Sequence, residues 1–434
     1  ILCKKTKLLC MVRNTYTEVA PHAKVWSNNM LKRFLYLFNY QNVVACLVVI
    51  SFQHPLLAAT ELRSYPISFG HLTDSRFAAT NGITLNKLAY DGMYRSGLVN
   101  HIPKPAQPWI ETTWSVFWTF NFTMWPHDMG HWARANQAGG DFVIDEYRFP
   151  FPLARMVDAP NATAAEQTLM SVGGFEINSL MRWQHEMFYF RHGYRDADDT
   201  VHNVISTLLF PMYTLLIAPT NPSKSSTWDN TYGDPVDFAK LVYQHYTGRP
   251  AIRSDNSVDP SLVSLYREIF WMNILTTALD PMLYKSLKVF SMDLKRNPKI
   301  VNPWLVKKDS FAWAYTTRFN PGALGYEIYL TQHVRFQQYY FAAYARTGRP
   351  FKNRGLGLIV PALFKFRRFS LATSAEAWDQ DVYGKGAILT LTPTYQINSR
   401  LNVSLTWHWK DHGYVVGHRL HRSSGWLLNS EVWW

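Results

Sequence analysis

The stretch that decides the fold class lies in the last third of the chain, where apolar and polar residues alternate without exception over Leu401-Asn402-Val403-Ser404-Leu405-Thr406-Trp407-His408-Trp409-Lys410. Successive side chains of a β-strand point to opposite faces of a sheet, so a strand made from this segment has one wholly apolar and one wholly polar face. The segment therefore predicts a strand with one lipid-like face and one water-like face.

The same alternation, less pure, runs through the chain after Lys308. Seven further segments carry it: Phe311–Phe319, Tyr326–Val334, Gln337–Arg346, Leu356–Phe366, Phe369–Trp378, Ala387–Gln396 and Trp426–Trp434. Turn-forming residues break the pattern at Asn320-Pro321-Gly322, Thr347-Gly348-Arg349-Pro350 and Asn398-Ser399-Arg400. These segments predict roughly eight antiparallel strands of about ten residues, the smallest usual membrane barrel.

The last predicted strand places Trp434 on the same face as Val432, Leu428 and Trp426. This ending resembles the terminal aromatic signature of bacterial outer-membrane β-barrels, which implies a barrel recognised by its last strand. The content of 17 Trp and 24 Tyr favours a membrane, where such rings form girdles. The alternative is a soluble β-sandwich, or an antiparallel sheet packed on the helical domain, because alternation alone shows only half-buried strands.

Helical spacing of apolar residues dominates the middle of the chain from Thr84 to Met292. It predicts helices over Leu85–Ser96, Trp109–Trp125, Pro126–Gln137, Ala164–Arg191, His202–Leu216, Pro235–Tyr246 and Leu262–Met292. Thr163 and Glu166 form a capping box that marks the start of the fourth helix. Trp109–Trp125 contains Glu111 and Asn121, so we expect a buried or interfacial helix there and no membrane span. Residues 219–234 predict a long surface loop.

The amino-terminal residues 1–59 have the pattern of a secretory signal. Lys32 and Arg33 precede the apolar run Val43–Phe52, and Leu56–Ala59 follows it. The alternative is an uncleaved anchor. We therefore expect an α+β protein of the outer membrane or periplasm of a Gram-negative bacterium, with three parts: an extension and signal peptide (1–59), a helical domain (60–306) and an antiparallel β-barrel-like domain (307–434).

Charge and cysteine content exclude several classes of site. Seven of the 44 basic residues but one of the 31 acidic residues precede Thr60, so the net charge of +13 falls to +7 in the rest of the chain. That mild excess predicts no nucleic-acid partner, whereas outer-membrane lipid remains a partner. Cys3, Cys10 and Cys46 all lie in the segment expected to be removed. His, Asp and Glu are then the remaining metal ligands.

The helical domain contains the sequence His127-Asp128-Met129-Gly130-His131. Residues four apart share one face of a helix, so His127 and His131 can hold one ion with Asp128 beside them. Glu176 is the expected third ligand, because Gly173 and Gly174 remove side chains just before it and let its helix come close. The alternative is that both histidines are core or surface residues.

The motif resembles the HExxH helix of the gluzincin metallopeptidases, in which a second helix carries a glutamate ligand. The resemblance implies Zn²⁺ held by His127, His131 and Glu176, with Asp128 as the general base. Asp in place of the family's Glu departs from the pattern. We expect a zinc-dependent hydrolase of the envelope, a metallopeptidase acting on peptide or protein substrates. The alternatives are a non-enzymatic outer-membrane barrel or assembly protein, and a hydrolase of lipids or esters.

Overall fold

The computed structural model describes residues 64–69, 74–95, 101–148, 151–157, 159–192, 197–216, 228, 234–293 and 302–433. All of these residues belong to one compact unit, Ala58–Trp434. The expected signal segment, most of the loop expected over 219–234, and the terminal Trp434 lie outside the described residues.

The described residues form seven helices and twelve strands. The helices are α1 (Ser75–Arg95), α2 (Gln107–Gln137), α3 (Ala164–His192), α4 (Ala197–Leu216), α5 (Asp234–Thr247), α6 (Pro260–Ala278) and α7 (Pro281–Asp293). The strands are β1 (Ser64–Phe69), β2 (Asp141–Arg148), β3 (Phe151–Val157), β4 (Val306–Lys308), β5 (Phe311–Gly322), β6 (Gly325–Phe336), β7 (Tyr339–Pro350), β8 (Asn353–Phe366), β9 (Phe369–Gln380), β10 (Gly384–Asn398), β11 (Leu401–Lys410) and β12 (Ser423–Trp433).

The predicted fold class, helices followed by an antiparallel sheet in the last third, is confirmed. Strands β5 to β12 are the eight predicted strands, and they pair in sequence order, each with its neighbour antiparallel. The sheet has ten strands, because β4 extends it at one edge and β1 at the other. A separate hairpin of β2 and β3, which the sequence did not predict, follows α2.

Two of the three predicted turns lie further along the chain than expected. Pairing between β5 and β6 continues to Gly322 and Gly325, so the hairpin loop is Ala323-Leu324. Likewise, β7 pairs with β6 as far as Pro350, so the predicted turn residues Thr347 to Pro350 belong to the strand. A proline lacks the amide hydrogen but keeps its extended backbone, so Pro321 and Pro350 are tolerated at the ends of strands. The predicted break at Asn398-Ser399-Arg400 is confirmed as the end of β10.

The first helix begins at Ser75, ten residues before the predicted start, and α4 begins at Ala197, five residues before it. Two further helices are divided differently from the prediction. The predicted helices Trp109–Trp125 and Pro126–Gln137 are one continuous helix, α2, with Pro126 inside it. Gly82 on α1 leaves room for the Pro126 ring, since a Cβ at Gly82 would lie 2.5 Å from it. The predicted helix Leu262–Met292 is instead α6 and α7, because Pro281 cannot continue a helix and begins the next. Thr163 and Glu166 make the predicted capping box, with Thr163 N donating to Glu166 at 2.8 Å.

No helix among the described residues combines the length and the apolar character needed to cross a bilayer.

The sheet presents apolar side chains on its outer face and polar side chains on its inner face. Outward residues such as Leu356 and Trp426 are 69% and 63% exposed. On the inner face, the buried Arg346 donates to Glu327, to Glu376 and to Asn353.

Helix α3 packs along the inner face and joins it to the other helices. On its side facing the sheet, Arg182 donates to Asp280 and to the carbonyl of Thr317 on β5. Apolar clusters also combine helices and sheet: one includes Phe175, Phe210 and Phe319. Buried ion pairs and shared apolar contacts therefore fix α3 against the sheet.

Candidate metal centre

Helices α2 and α3 cross at glycines. A Cβ at Gly130 would come within 3 Å of the backbone of Gly173, and a Cβ at Gly173 would overlap the backbone of Gly130. A Cβ at Gly174 would overlap the ring of His127. Only glycine permits such an approach. The expected close approach of the two helices at Gly173 and Gly174 is therefore present.

His127 and His131 lie one helical turn apart on α2, and both face the start of α5. His127 Nε2 and His131 Nε2 are 3.3 Å apart, and each is 3.1 Å from the same atom, Asp234 Oδ2. Both histidines are buried, whereas a quarter of the Asp234 side chain is exposed. Among the described residues these three form a group that could hold a metal ion.

The spacing of the three atoms fits a transition metal. Ligand atoms bound at about 2.0–2.1 Å in a tetrahedral zinc set lie about 3.3–3.4 Å from one another. The observed separations of 3.1–3.3 Å need almost no adjustment to reach that spacing. The two imidazoles and the carboxylate are also the ligand types that zinc prefers.

Glu176, the expected third ligand, is not in this group, and Asp234 takes its place. The Glu176 carboxylate instead accepts hydrogen bonds from the Arg134 side chain and, at 2.9 Å, from the amide of Gly417. Residues two apart point to different sides of a helix, whereas residues four apart share a face. Gly174 faces His127, so the residue that shares this face is Asn178, and Glu176 points away toward the sheet.

Sequence reasoning missed Asp234 because it lies 103 residues beyond His131, on another helix. The one local signal was an acidic residue followed by proline at the start of a helical pattern, which is typical of a helix amino terminus. That signal places Asp234 at a helix start but does not say which partner it faces.

Hydrogen bonds orient the imidazole of His131 for metal binding. Its Nδ1 lies 2.7 Å from the carbonyl oxygen of Met170, and a carbonyl can only accept, so Nδ1 carries a proton. In the neutral ring, the lone pair is then on Nε2, facing His127 and Asp234. Metal-bound histidines usually donate their other N–H in this way to a carbonyl or carboxylate.

Asn178 contacts Nδ1 of His127 as the carbonyl of Met170 contacts Nδ1 of His131. Its amide nitrogen is 3.1 Å from His127 Nδ1, while its Oδ1 is buried without a partner in the described part of the chain. Exchanging the amide oxygen and nitrogen leaves the shape unchanged and lets His127 Nδ1–H donate to Oδ1. That exchange satisfies the orphaned oxygen and turns the Nε2 lone pair toward the cluster, so the surrounding residues fit a bound metal.

The charges of the cluster shift its pKa values. Burial alone lowers the pKa of His131, but the Asp234 carboxylate outweighs burial and raises the pKa to about 9. Burial likewise acts to raise the pKa of Asp234, while the positive charge and hydrogen bonds of the histidines hold it well below its ordinary value. Without a metal, a proton on His131 therefore balances the buried carboxylate.

Asp128, the expected general base, lies beside the cluster and outside the ligand group. Burial raises the pKa of its carboxyl, partly offset by the charges of His127 and His131. A carboxyl group that binds protons more readily than an exposed one suits a proton acceptor near neutral pH.

We expect the metal-free protein to lose stability as the pH rises from 6.5 to 9. The folded pKa of His131 is higher than its unfolded value, so its contribution is complete below the unfolded pKa and disappears above about 9. The partial exposure of Asp234 limits the effect to roughly 1–3 kcal/mol. Thermal melting of the chelated protein across this range measures it, with His131→Gln as control. Equal slopes for both proteins would contradict the raised pKa.

No family model, curated protein or solved structure matches the chain. The likeness to gluzincins is thus confined to the histidine spacing on α2. It departs from that family at the third ligand, which comes from the first residue of α5 and not from α3.

Proposed function

We propose that this chain is an envelope protein whose helical part holds zinc at His127, His131 and Asp234 and catalyses hydrolysis there. The observation that carries the proposal is the convergence of two imidazole nitrogens and one carboxylate oxygen within 3.3 Å. Three protein ligands leave a fourth position for water, as in catalytic zinc sites. The exposed quarter of Asp234 leaves one side of the cluster accessible.

A zinc ion bound there would supply a water molecule with a pKa near 7. The residues of this chain then have separate tasks. Met170 and Asn178 orient the two imidazoles, and Asp128 accepts the proton that a water molecule loses. The same ligand types also bind Fe²⁺ in oxygenases, so metal analysis of the purified protein decides between a hydrolase and an oxidative enzyme.

Asp128→Asn should keep the metal and abolish most hydrolysis. The amide preserves the size of the side chain but cannot accept the proton, and loss of general-base catalysis typically costs about 10²–10⁴-fold in rate. Elemental analysis and kcat on one preparation separate the two effects. Asp128→Glu serves as the control, because the longer acid should preserve or raise activity if Asp128 works through an intervening water molecule. Full activity of Asp128→Asn would assign the base elsewhere.

Peptide bonds are the proposed substrate, and lipid esters are the second candidate. The second rests on the apolar surroundings of His127, whose ring packs edge-on against Phe175 at 4.7 Å, which in turn contacts Phe210 at 4.5 Å. Parallel assays with a casein-derived peptide mixture and with short-chain and long-chain esters distinguish the two. Activity that requires the three ligands identifies the metal-dependent substrate.

We also propose that the outer face of the sheet contacts outer-membrane lipid. Its exposed residues are large and apolar over several adjacent strands: Leu358, Phe366, Leu389, Tyr395, Leu405, Trp409, Trp426 and Leu428. Exposed apolar surface of this extent marks contact with a membrane or another protein. The polar inner face, filled by helices, agrees with this orientation.

Leu405→Arg should destabilise the protein by about 2–4 kcal/mol if this face meets the bilayer midplane. Leu305→Arg is the matched control, because Leu305 precedes the sheet and both leucines are 39% exposed. Unfolding of both variants in lipid vesicles measures the difference. Equal, small effects at the two positions would favour a sheet that faces water.

The alternative from another class is a non-enzymatic envelope protein with the same sheet and an incidental histidine pair. Metal content separates it from the hydrolase. About one zinc ion per chain, lost on substitution of any ligand, supports the proposed function. A purified protein that binds no divalent metal would favour the non-enzymatic alternative.

A further inference from the structure

A cavity of about 430 Å³ lies between α3 and the inner face of the sheet. Strands β8 to β12 and β1 form one wall, and α1 and α3 form the other. None of the three candidate metal ligands lines it, so it is separate from the metal centre. Its volume lies within the range of about 300–1,000 Å³ that is usual for small-molecule sites.

The sheet wall of the cavity carries neutral hydroxyl groups. Ser374 lies opposite Thr390 in the pairing of β9 and β10, and Thr394 lies opposite Ser404 in the pairing of β10 and β11. We call these two pairs of opposite hydroxyl residues, Ser374–Thr390 and Thr394–Ser404, the two rungs. Thr390 and Thr394 are four residues apart on one strand, so the two rungs are separated by roughly 13 Å. The wall therefore offers hydroxyl pairs spaced along the length of a short oligosaccharide.

The hydroxyls of these four residues have no hydrogen-bond partner within the part of the chain that the structure describes, although all four line the cavity. Thr392, which lies between the two rungs, differs from them because its hydroxyl is hydrogen-bonded to the hydroxyl of Thr406 at 3.1 Å. Hydroxyl groups that face a cavity need water or a ligand to satisfy them. Those of the two rungs are available to a ligand.

The helix wall of the cavity combines an apolar group with polar side chains, the latter being Thr80, Lys87, Gln184, His185, Arg191 and His192. Trp183, Met187 and Phe188 of α3 line it together with Ile83 of α1. The indole nitrogen of Trp183 is buried and has no partner in the described residues. A ligand with hydroxyl groups on one side and C–H groups on the other matches the two walls, because an aromatic ring combines apolar contact with a polar edge.

Two of the charged side chains that line the cavity, Lys87 and Glu431, are engaged by the protein, whereas the third, Arg191, is exposed. Lys87 Nζ donates to the carbonyl of Ser64 at 3.2 Å and lies 4.6 Å from the centre of the Phe188 ring. Glu431 accepts from Ser64 Oγ at 2.6 Å and from Asn402 at 3.3 Å. Because Lys87 and Glu431 bond to the protein itself, neither offers a free charge to a ligand, and the neutral hydroxyl groups of the sheet wall remain.

We propose that this cavity binds a short, uncharged carbohydrate. Its hydroxyls would bond to the rungs Ser374–Thr390 and Thr394–Ser404, and its C–H face would lie against Trp183 and Phe188. The proposal is independent of the metal centre, since it uses no residue of that cluster.

Titration calorimetry on the full chain in detergent tests the proposal, with maltotriose, trehalose and N,N′-diacetylchitobiose as probes. At least one probe should bind, and Thr394→Val with Ser404→Ala should weaken it roughly tenfold, since two hydrogen bonds are removed with almost no change of shape. Thr347→Val with Ser424→Ala is the matched control on the outer face, and its affinity should equal that of the wild type.

A second pair of variants guards against misfolding. Ser374→Ala with Thr390→Val removes the other rung and should weaken the same probe by a similar factor, with thermal melting reporting that each variant is folded. Metal content should stay unchanged in both pairs. Absence of binding to all three probes would overturn the proposal. Binding that both pairs of variants leave unchanged would also overturn it.

Discussion

Asp234→Ala should remove the metal while the fold remains. The substitution deletes the one carboxylate that joins the two imidazoles, and we expect the affinity for zinc to fall by more than about 100-fold, because even residues that only orient a ligand contribute about 10- to 100-fold. Zinc content after dialysis against a competing chelator measures the loss. Asp237→Ala, one turn further along α5, is the matched control and should keep the metal.

Glu176→Gln distinguishes this site from the one expected from sequence. If Glu176 were a ligand, the variant would lose zinc. Because its carboxylate pairs with the buried Arg134, we expect a loss of about 3–5 kcal/mol in the free energy of unfolding instead, with zinc retained by the protein that remains folded. A stable Glu176→Gln protein without metal would restore the sequence-based assignment.

Gly173→Ala should strongly destabilise the protein. The added Cβ would lie within 3 Å of the backbone of Gly130 and of the amide of His131, and backbone atoms cannot yield as a side chain can. We expect a loss of about 3 kcal/mol in the free energy of unfolding, together with weaker zinc binding, since α2 must move away.

Gly92→Ala is the control for this helix crossing. It is the same substitution within a helix, but a Cβ at Gly92 meets nothing within 4 Å. Alanine is the better helix former, so this variant should be unchanged or more stable by about 0.5–1 kcal/mol. Chemical denaturation in detergent measures both variants. Equal stability of the two would show that α2 and α3 do not meet at this pair.

Local patterns were sufficient to predict eight of the ten strands of the sheet. Alternation is a property of a few consecutive residues, and it gave all eight strands from β5 to β12. The pattern could not give β1, because Ser64–Phe69 has only six residues and includes Pro66, opposite Glu431. It also could not show what fills the polar side. Part of the water-like face is covered by α3, and its own strands carry buried charged groups such as Arg346.

The candidate site was predictable only where its residues are local. Histidines four apart and glycines at a helix crossing can be recognised in sequence, and both are present in the structure. The third ligand was expected at Glu176, because nearness to Gly174 along the chain was taken for a shared face, whereas the structure pairs the Glu176 carboxylate with Arg134. Asp234 is brought to the histidines by tertiary packing over 103 residues, which no local period encodes.

X-ray absorption at the zinc edge tests the central claim most directly. The full chain loaded with one equivalent of zinc should show scattering from two imidazoles at about 2.0–2.1 Å and from oxygen at about 2.0–2.2 Å. In His127→Ala and in His131→Ala the imidazole scattering should be lost, because zinc released from the site has only water oxygens as neighbours. A spectrum of the unsubstituted chain with oxygen neighbours alone, or a spectrum that neither substitution changes, would contradict a metal centre at His127, His131 and Asp234.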